Sequence, residues 1–113
     1  MALSFSPAVS RNGFIFTSGQ IYLTDEGKLL EGTIEEQAHQ IMKNLQRILE
    51  KENVTFKDVV KTTIYSTDMS LYGKINEAYA SYFKEPFPAR EFVCVKELPL
   101  GAKVEISMIA VEE

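Results

Sequence analysis

Val104-Glu105-Ile106-Ser107-Met108-Ile109-Ala110-Val111 reads as a strand that is apolar on both faces. Val104, Ile106 and Met108 point one way, and Ile109 and Val111 the other. Two shorter stretches repeat the pattern. Phe14-Ile15-Phe16-Thr17 sets Phe14 and Phe16 against Ile15, and Glu91-Phe92-Val93-Cys94-Val95 sets Val93 and Val95 against Phe92. Only two helices are readable in the remainder, enough to cover one side of a sheet. The other side needs a cover, and a second copy of the same chain is the simplest one.

The rest of the chain fits around that sheet. A short edge strand is expected around Ala2 to Val9, with Pro7 tolerated at an edge or bulge. Asn12-Gly13 is a hairpin turn signal leading into Phe14–Thr17. Ser18-Gly19-Gln20 ends that strand, and Gly19 marks either a bend or a place where another group approaches the backbone. Thr33 with Glu36 forms a capping box. Ile34, Ala38, Ile41, Leu45, Ile48 and Leu49 then recur on one helical face, and Asn53 suits the left-handed cap. Val59 to Thr67 is β-branched and alternating, a strand. Asp68 or Ser70 caps a second helix with the stripe Leu71, Ile75, Ala78, Tyr79 and Tyr82, which Pro86 and Pro88 end. A strand from Arg90 to Val95 follows, then a turn at Pro99 to Gly101. The order β-β-α-β-α-β-β predicts an α+β two-layer sandwich, two helices on one face of a mixed sheet.

At 113 residues the chain is sized for one domain, expected to span 1–113. A formal net charge of −4 argues against a nucleic-acid partner. The one cysteine, Cys94, permits no intrachain disulfide and fits a reducing, cytoplasmic location. No stretch suits a membrane span, and the N-terminus lacks the marks of a signal peptide.

Chemistry has few places to reside. The one histidine, His39, lies in the first helix beside its apolar stripe and reads as a helix-surface residue. With one histidine and one cysteine there is no metal-ligand cluster. No phosphate loop or dinucleotide fingerprint is present. Cys94, in an apolar strand, reads as a core thiol. Phe87-Pro88-Ala89-Arg90 remains. Pro88 fixes its own φ and holds Phe87 extended, so a stiff turn delivers Arg90 to a strand that reads as largely buried. An arginine there needs a carboxylate. Glu105, on what reads as the adjacent strand, is one partner, as a structural salt bridge. A ligand carboxylate is the other, with Glu105 free to hold a water or move a proton; Asn76, on the second helix, either orients such a ligand or is an ordinary surface helix residue.

Gly13-Phe14-Ile15-Phe16-Thr17-Ser18-Gly19-Gln20, Val60-Lys61-Thr62-Thr63-Ile64-Tyr65, Asn76-Glu77-Ala78-Tyr79 with Tyr82-Phe83, Phe87-Pro88-Ala89-Arg90, and Leu98-Pro99 through Lys103-Val104-Glu105-Ile106 occur in that order. With these stretches the chain resembles the RidA/YjgF family of reactive-intermediate deaminases over nearly its whole length. The resemblance implies a chorismate-mutase-like fold, a homotrimer with sheets packed inwards, and active sites in clefts between subunits. It implies hydrolysis of 2-imino acids of the iminobutanoate and iminopropanoate type to 2-keto acids and ammonia, with no cofactor. The family's carboxylate-binding arginine falls on Arg90, its water-positioning glutamate on Glu105, its Ser-Gly pair on Ser18 and Gly19, and its helix asparagine on Asn76. Two binding positions depart from the pattern. Phe5 replaces a tyrosine, removing its hydroxyl. Phe92 replaces the cysteine two residues after the arginine, which makes a side-chain-lined pocket smaller or more apolar.

The expectation is therefore a deaminase in which Arg90 binds the substrate carboxylate and Glu105 orients water. The alternatives are an endoribonuclease or translation inhibitor, an activity also attached to the family, and a non-catalytic binder of small carboxylates.

Overall fold

The computed structural model describes residues 4–113, and its architecture is the expected α+β one. The strands are β1 (Ala8–Arg11), β2 (Phe14–Thr17), β3 (Val59–Ser66), β4 (Ala89–Cys94) and β5 (Val104–Val111). The helices are α1 (Ile34–Lys51) and α2 (Tyr72–Ala80). The strands form one five-stranded sheet in the order β1-β2-β5-β3-β4, antiparallel except for the parallel β3–β4 pair that α2 connects.

Local chemistry explains most boundaries. Asn12 and Gly13 both adopt positive φ, at 50° and 83°, as a tight hairpin turn between twisted strands requires. The first strand begins at Ala8, later than the sequence suggests, and Ala2 and Leu3 lie outside the described residues. Pro7, just before it, offers its carbonyl to the Ser18 N–H at 2.8 Å. Thr33 and Glu36 cap α1 reciprocally, and Asn53 takes the left-handed conformation after it. Ala38, Ile41, Met42, Leu45 and Leu49 bury the inner face of α1. Asp68 caps the short 3-10 turn that opens α2, through the Ser70 N–H.

Helix α2 stops at Ala80, well before either proline. Tyr82 and Phe83 leave the helix to pack their rings on Phe56, at 5.6 and 5.4 Å between centroids. Their N–H groups bond three residues back, the tightened geometry of a helix end. Tyr82 also reaches His39, whose Nδ1 lies 2.7 Å from the tyrosine oxygen.

Both helices cover the sheet face that carries Ile15, Ile64, Val104, Ile106, Met108 and Ala110, the core of the protein. Burying the isoleucine, valine and methionine side chains among these contributes about 1.5–3 kcal/mol each. The opposite face carries Val9, Phe14, Phe16 and Val93, all exposed, as the two-sided pattern predicts.

Three expectations are corrected by the strand order. Strands β4 and β5 are not neighbours, because β3 lies between them. Strand β4 is an edge strand and mostly exposed rather than buried. Cys94, at its end, is exposed and not a core thiol. An edge strand is flanked on one side only, so an apolar run there does not imply burial.

Candidate active site

Arg90 sits opposite Thr62 in the β3–β4 register and therefore shares its face, the one beneath α2. Thr62 is fully buried and accepts a 2.9 Å hydrogen bond from the Tyr79 hydroxyl. Burial pushes the Tyr79 hydroxyl pKa up, with the Thr62 bond and the nearby Arg90 charge opposing it. Arg90 itself is half-buried and pairs with no carboxylate among the described residues. Its Nη2 donates to the Tyr72 hydroxyl at 2.9 Å. Its Cζ lies 5.5 Å from the Tyr72 ring centre and 5.7 Å from that of Phe92. Asn76 is half-buried one helical turn after Tyr72, on the same side of α2. Arg90, Phe92 and Tyr72 thus form one group, and Asn76 follows Tyr72 on the same side of α2.

Glu105 belongs to another. It pairs with Tyr65, so its side chain leaves the sheet on the face opposite to Arg90, two strands away, a distance of about 10 Å across the sheet. The structural Arg90–Glu105 salt bridge is therefore excluded within one chain. Burial raises the Glu105 carboxyl pKa above its ordinary value, with no opposing cause.

Gly19 explains how that carboxylate is seated. After Phe16 the chain leaves the β5 ladder and rejoins it where Gln20 pairs with Ile106. Three residues, 17–19, stand opposite two, 107–108, so the strand bulges. The Thr17 hydroxyl bridges the gap, accepting from the Met108 N–H at 2.9 Å. At the bulge the Glu105 side chain lies against Gly19, where a Cβ would come within 2.6 Å of Cδ. Gly19 is thus both a bend and a close approach. Ser18 is tied by its hydroxyl to the Ser6 carbonyl at 2.6 Å. That contact brings the exposed Phe5, the next residue back, to the same end of the sheet. Phe5, Ser18, Gly19 and Glu105 form the second group.

Elsewhere, a cavity of about 650 Å³ between the end of α1 and the 82–88 connection is walled by Leu49, Phe56, Val59, Tyr82 and Phe83, and includes neither Arg90 nor Glu105. No cluster of three or more His, Cys, Asp or Glu that could hold a metal occurs among the described residues. Among the described residues no helix is long and apolar enough to cross a membrane.

The sequence matches the family model for Endoribonuclease L-PSP over residues 1–112. The chain belongs to that family, the RidA/YjgF family. It is 50% identical to a RutC family protein of Aquifex aeolicus, over 96% of this chain and 88% of that one. It is 42% identical to the mouse 2-iminobutanoate/2-iminopropanoate deaminase, over 96% of this chain and 81% of that one. Among solved structures, E. coli TdcF with bound serine superposes with a TM-score of 0.92 at 30% identity, over 100% of this chain and 91% of that one. The family model thus carries an endoribonuclease description, while the two sequence relatives carry RutC and deaminase names.

Sequence reasoning missed Tyr72, whose hydroxyl accepts from the Arg90 guanidinium. The available signal was its position four residues before Asn76, which places both on one side of α2.

Proposed function

We propose that this RidA/YjgF protein is one domain, 1–113, that hydrolyses reactive 2-imino acids to 2-keto acids and ammonia. The observation that carries this reading is an arginine on the edge strand with no carboxylate partner among the described residues. A structural arginine would be expected beside a carboxylate. Arg90 instead offers its remaining N–H donors to a ligand. The serine held by TdcF is a small α-carboxylate of the class such a group grips.

Arg90 and Glu105 occupy opposite faces, so the two groups complete each other only between copies. The exposed Val9, Phe14 and Phe16 share the Glu105 face, and a homotrimer burying that apolar surface would bring a neighbour's Arg90 group to it. In such a cleft Arg90 takes the substrate carboxylate in the guanidinium plane, while Asn76 and Ser18 border it. Phe5 and Phe92 supply apolar walls. Glu105, with its raised pKa, orients a water and accepts its proton as the oxygen attacks C2 of the protonated imine. The C=N bond becomes a single bond in the carbinolamine. Nitrogen then takes a proton and leaves as ammonia, and the C2 hydroxyl loses its proton to give the ketone. The protonated imine is already electrophilic, so the residues present supply binding and proton transfer. A cytoplasmic location accompanies this reading.

The test is ammonia release from imines generated by an amino-acid oxidase, with and without the protein. Acceleration by the wild-type chain supports the proposal. Tight, salt-sensitive RNA binding with RNA cleavage and no acceleration would support the endoribonuclease reading that the family description carries. Binding of a 2-keto acid without acceleration would reduce the protein to a carboxylate binder.

A further inference from the structure

We propose that Tyr72, together with Phe92, is an aromatic clamp that sets the Arg90 guanidinium for carboxylate binding before substrate arrives, a role that rests on the deaminase reading of the site. Three contacts support it. The Tyr72 hydroxyl accepts from Nη2 at 2.9 Å, both rings lie within 5.7 Å of Cζ, and the rings contact each other at 4.7 Å between centroids. The clamp joins the first residue of α2 to the middle of β4, so an edge-strand side chain is tied to the helical layer.

The donor count shows why this suits a binding arginine. A guanidinium has five N–H donors, and Tyr72 takes one. The aromatic rings occupy positions beside the guanidinium and favour its charge without neutralising it. A carboxylate in Tyr72's place would satisfy the charge and compete with the ligand; a hydroxyl and two rings do not. An unrestrained arginine must also lose rotamer freedom on binding, and a side chain already held loses less. Tyr72 is thus a positioning residue. Its contribution is made to bound substrate and transition state alike, and its removal falls mainly on KM.

The test compares Tyr72→Ala, Tyr72→Phe and wild type by ammonia release from in-situ imines, by calorimetric binding of pyruvate as a 2-keto acid probe, and by thermal melting. Tyr72 is partly exposed, so both variants are expected to fold. The Ala variant is expected to raise KM and the pyruvate Kd by about tenfold or more, with a smaller fall in kcat and a modestly lower melting temperature. Tyr72→Phe, which keeps the ring and loses the hydroxyl, is expected to recover part of the binding. Unchanged KM and Kd in Tyr72→Ala, with wild type active, overturn the clamp and leave the deaminase reading standing. A fall in kcat alone also overturns it, since that places Tyr72 in the chemical step. A wild-type protein that neither binds pyruvate nor accelerates hydrolysis overturns the deaminase reading, and the clamp with it.

Discussion

The Arg90 group and the Glu105 group are built on one sheet by opposite means. Arg90 stands on an edge strand and is held by what surrounds it: the Tyr72 hydroxyl and two aromatic rings. Glu105 stands on a strand paired on both sides and is seated by what is missing, the Cβ that Gly19 lacks. One group has a charge with no countercharge. The other has a carboxylate that burial pushes toward neutrality. Each is incomplete in the way the other could complete, and the sheet keeps them apart within a chain.

The largest expected effect is at Arg90. With no ion pair to break, Arg90→Ala leaves no stranded carboxylate, and the loss of about 3–5 kcal/mol typical of a broken buried pair is not expected. Turnover is expected to fall by orders of magnitude while thermal melting stays near wild type. Arg90→Lys is expected to be nearly as poor, because an ammonium cannot make a planar two-point grip. A strongly destabilised Arg90→Ala protein rescued by Glu105→Gln would mean that the two groups meet as a structural pair between copies.

Next comes the surface that would join the groups. Phe16→Asp places a charge on the exposed apolar face and leaves the helix-covered core untouched. Sedimentation equilibrium is expected to give a trimer for wild type and a smaller species for the variant, with activity lost in parallel. A fully active wild-type monomer would show that both groups need no second copy.

The sequence made some of this legible, and the reasons are physical. Asn12-Gly13 and the Thr33–Glu36 box are local chemistry, and both appear where expected. The two-sided alternation of β5 and β2 foretold an uncovered face because a strand's side chains must alternate. Strand order was not legible. Consecutive strands usually lie side by side, but α2 carries the chain across so that β4 pairs with β3 in parallel and β5 enters on the other side of β3. The error moved Arg90 next to Glu105 and buried Cys94. The four residues from Arg90 to Val93 alone do not reveal whether one or two strands flank them. Tyr72 was hidden for a related reason, since its partner is eighteen residues further on.

A smaller effect is expected at Gly19. Gly19→Val puts a side chain into the Glu105 carboxyl, so the carboxylate must swing away while the bulge itself survives. Turnover is expected to fall by about one to two orders of magnitude, as when a catalytic proton acceptor is misplaced, with melting little changed. Full turnover with unchanged KM would mean that the seat of Glu105 does not matter to the chemistry.

The smallest effect tests the electrostatic contrast by stability alone. Burial raises the folded-state pKa of Glu105 above its unfolded value. The folded state therefore holds this proton more tightly, and the associated stability is fully present below the unfolded pKa and is lost as pH rises through the folded one. Glu105→Gln cannot lose a proton. Wild type and variant are expected to melt alike in acid, and the variant is expected to melt modestly higher near neutral pH, with the gap opening as pH climbs out of the ordinary carboxylate range. Denaturant titrations at several pH values would measure it. A gap of the opposite sign, with wild type the more stable at neutral pH, would place a cation against Glu105 in the assembled protein. The nearest candidate by this reading is a neighbouring copy's Arg90, and the two charges would then meet directly when no substrate separates them.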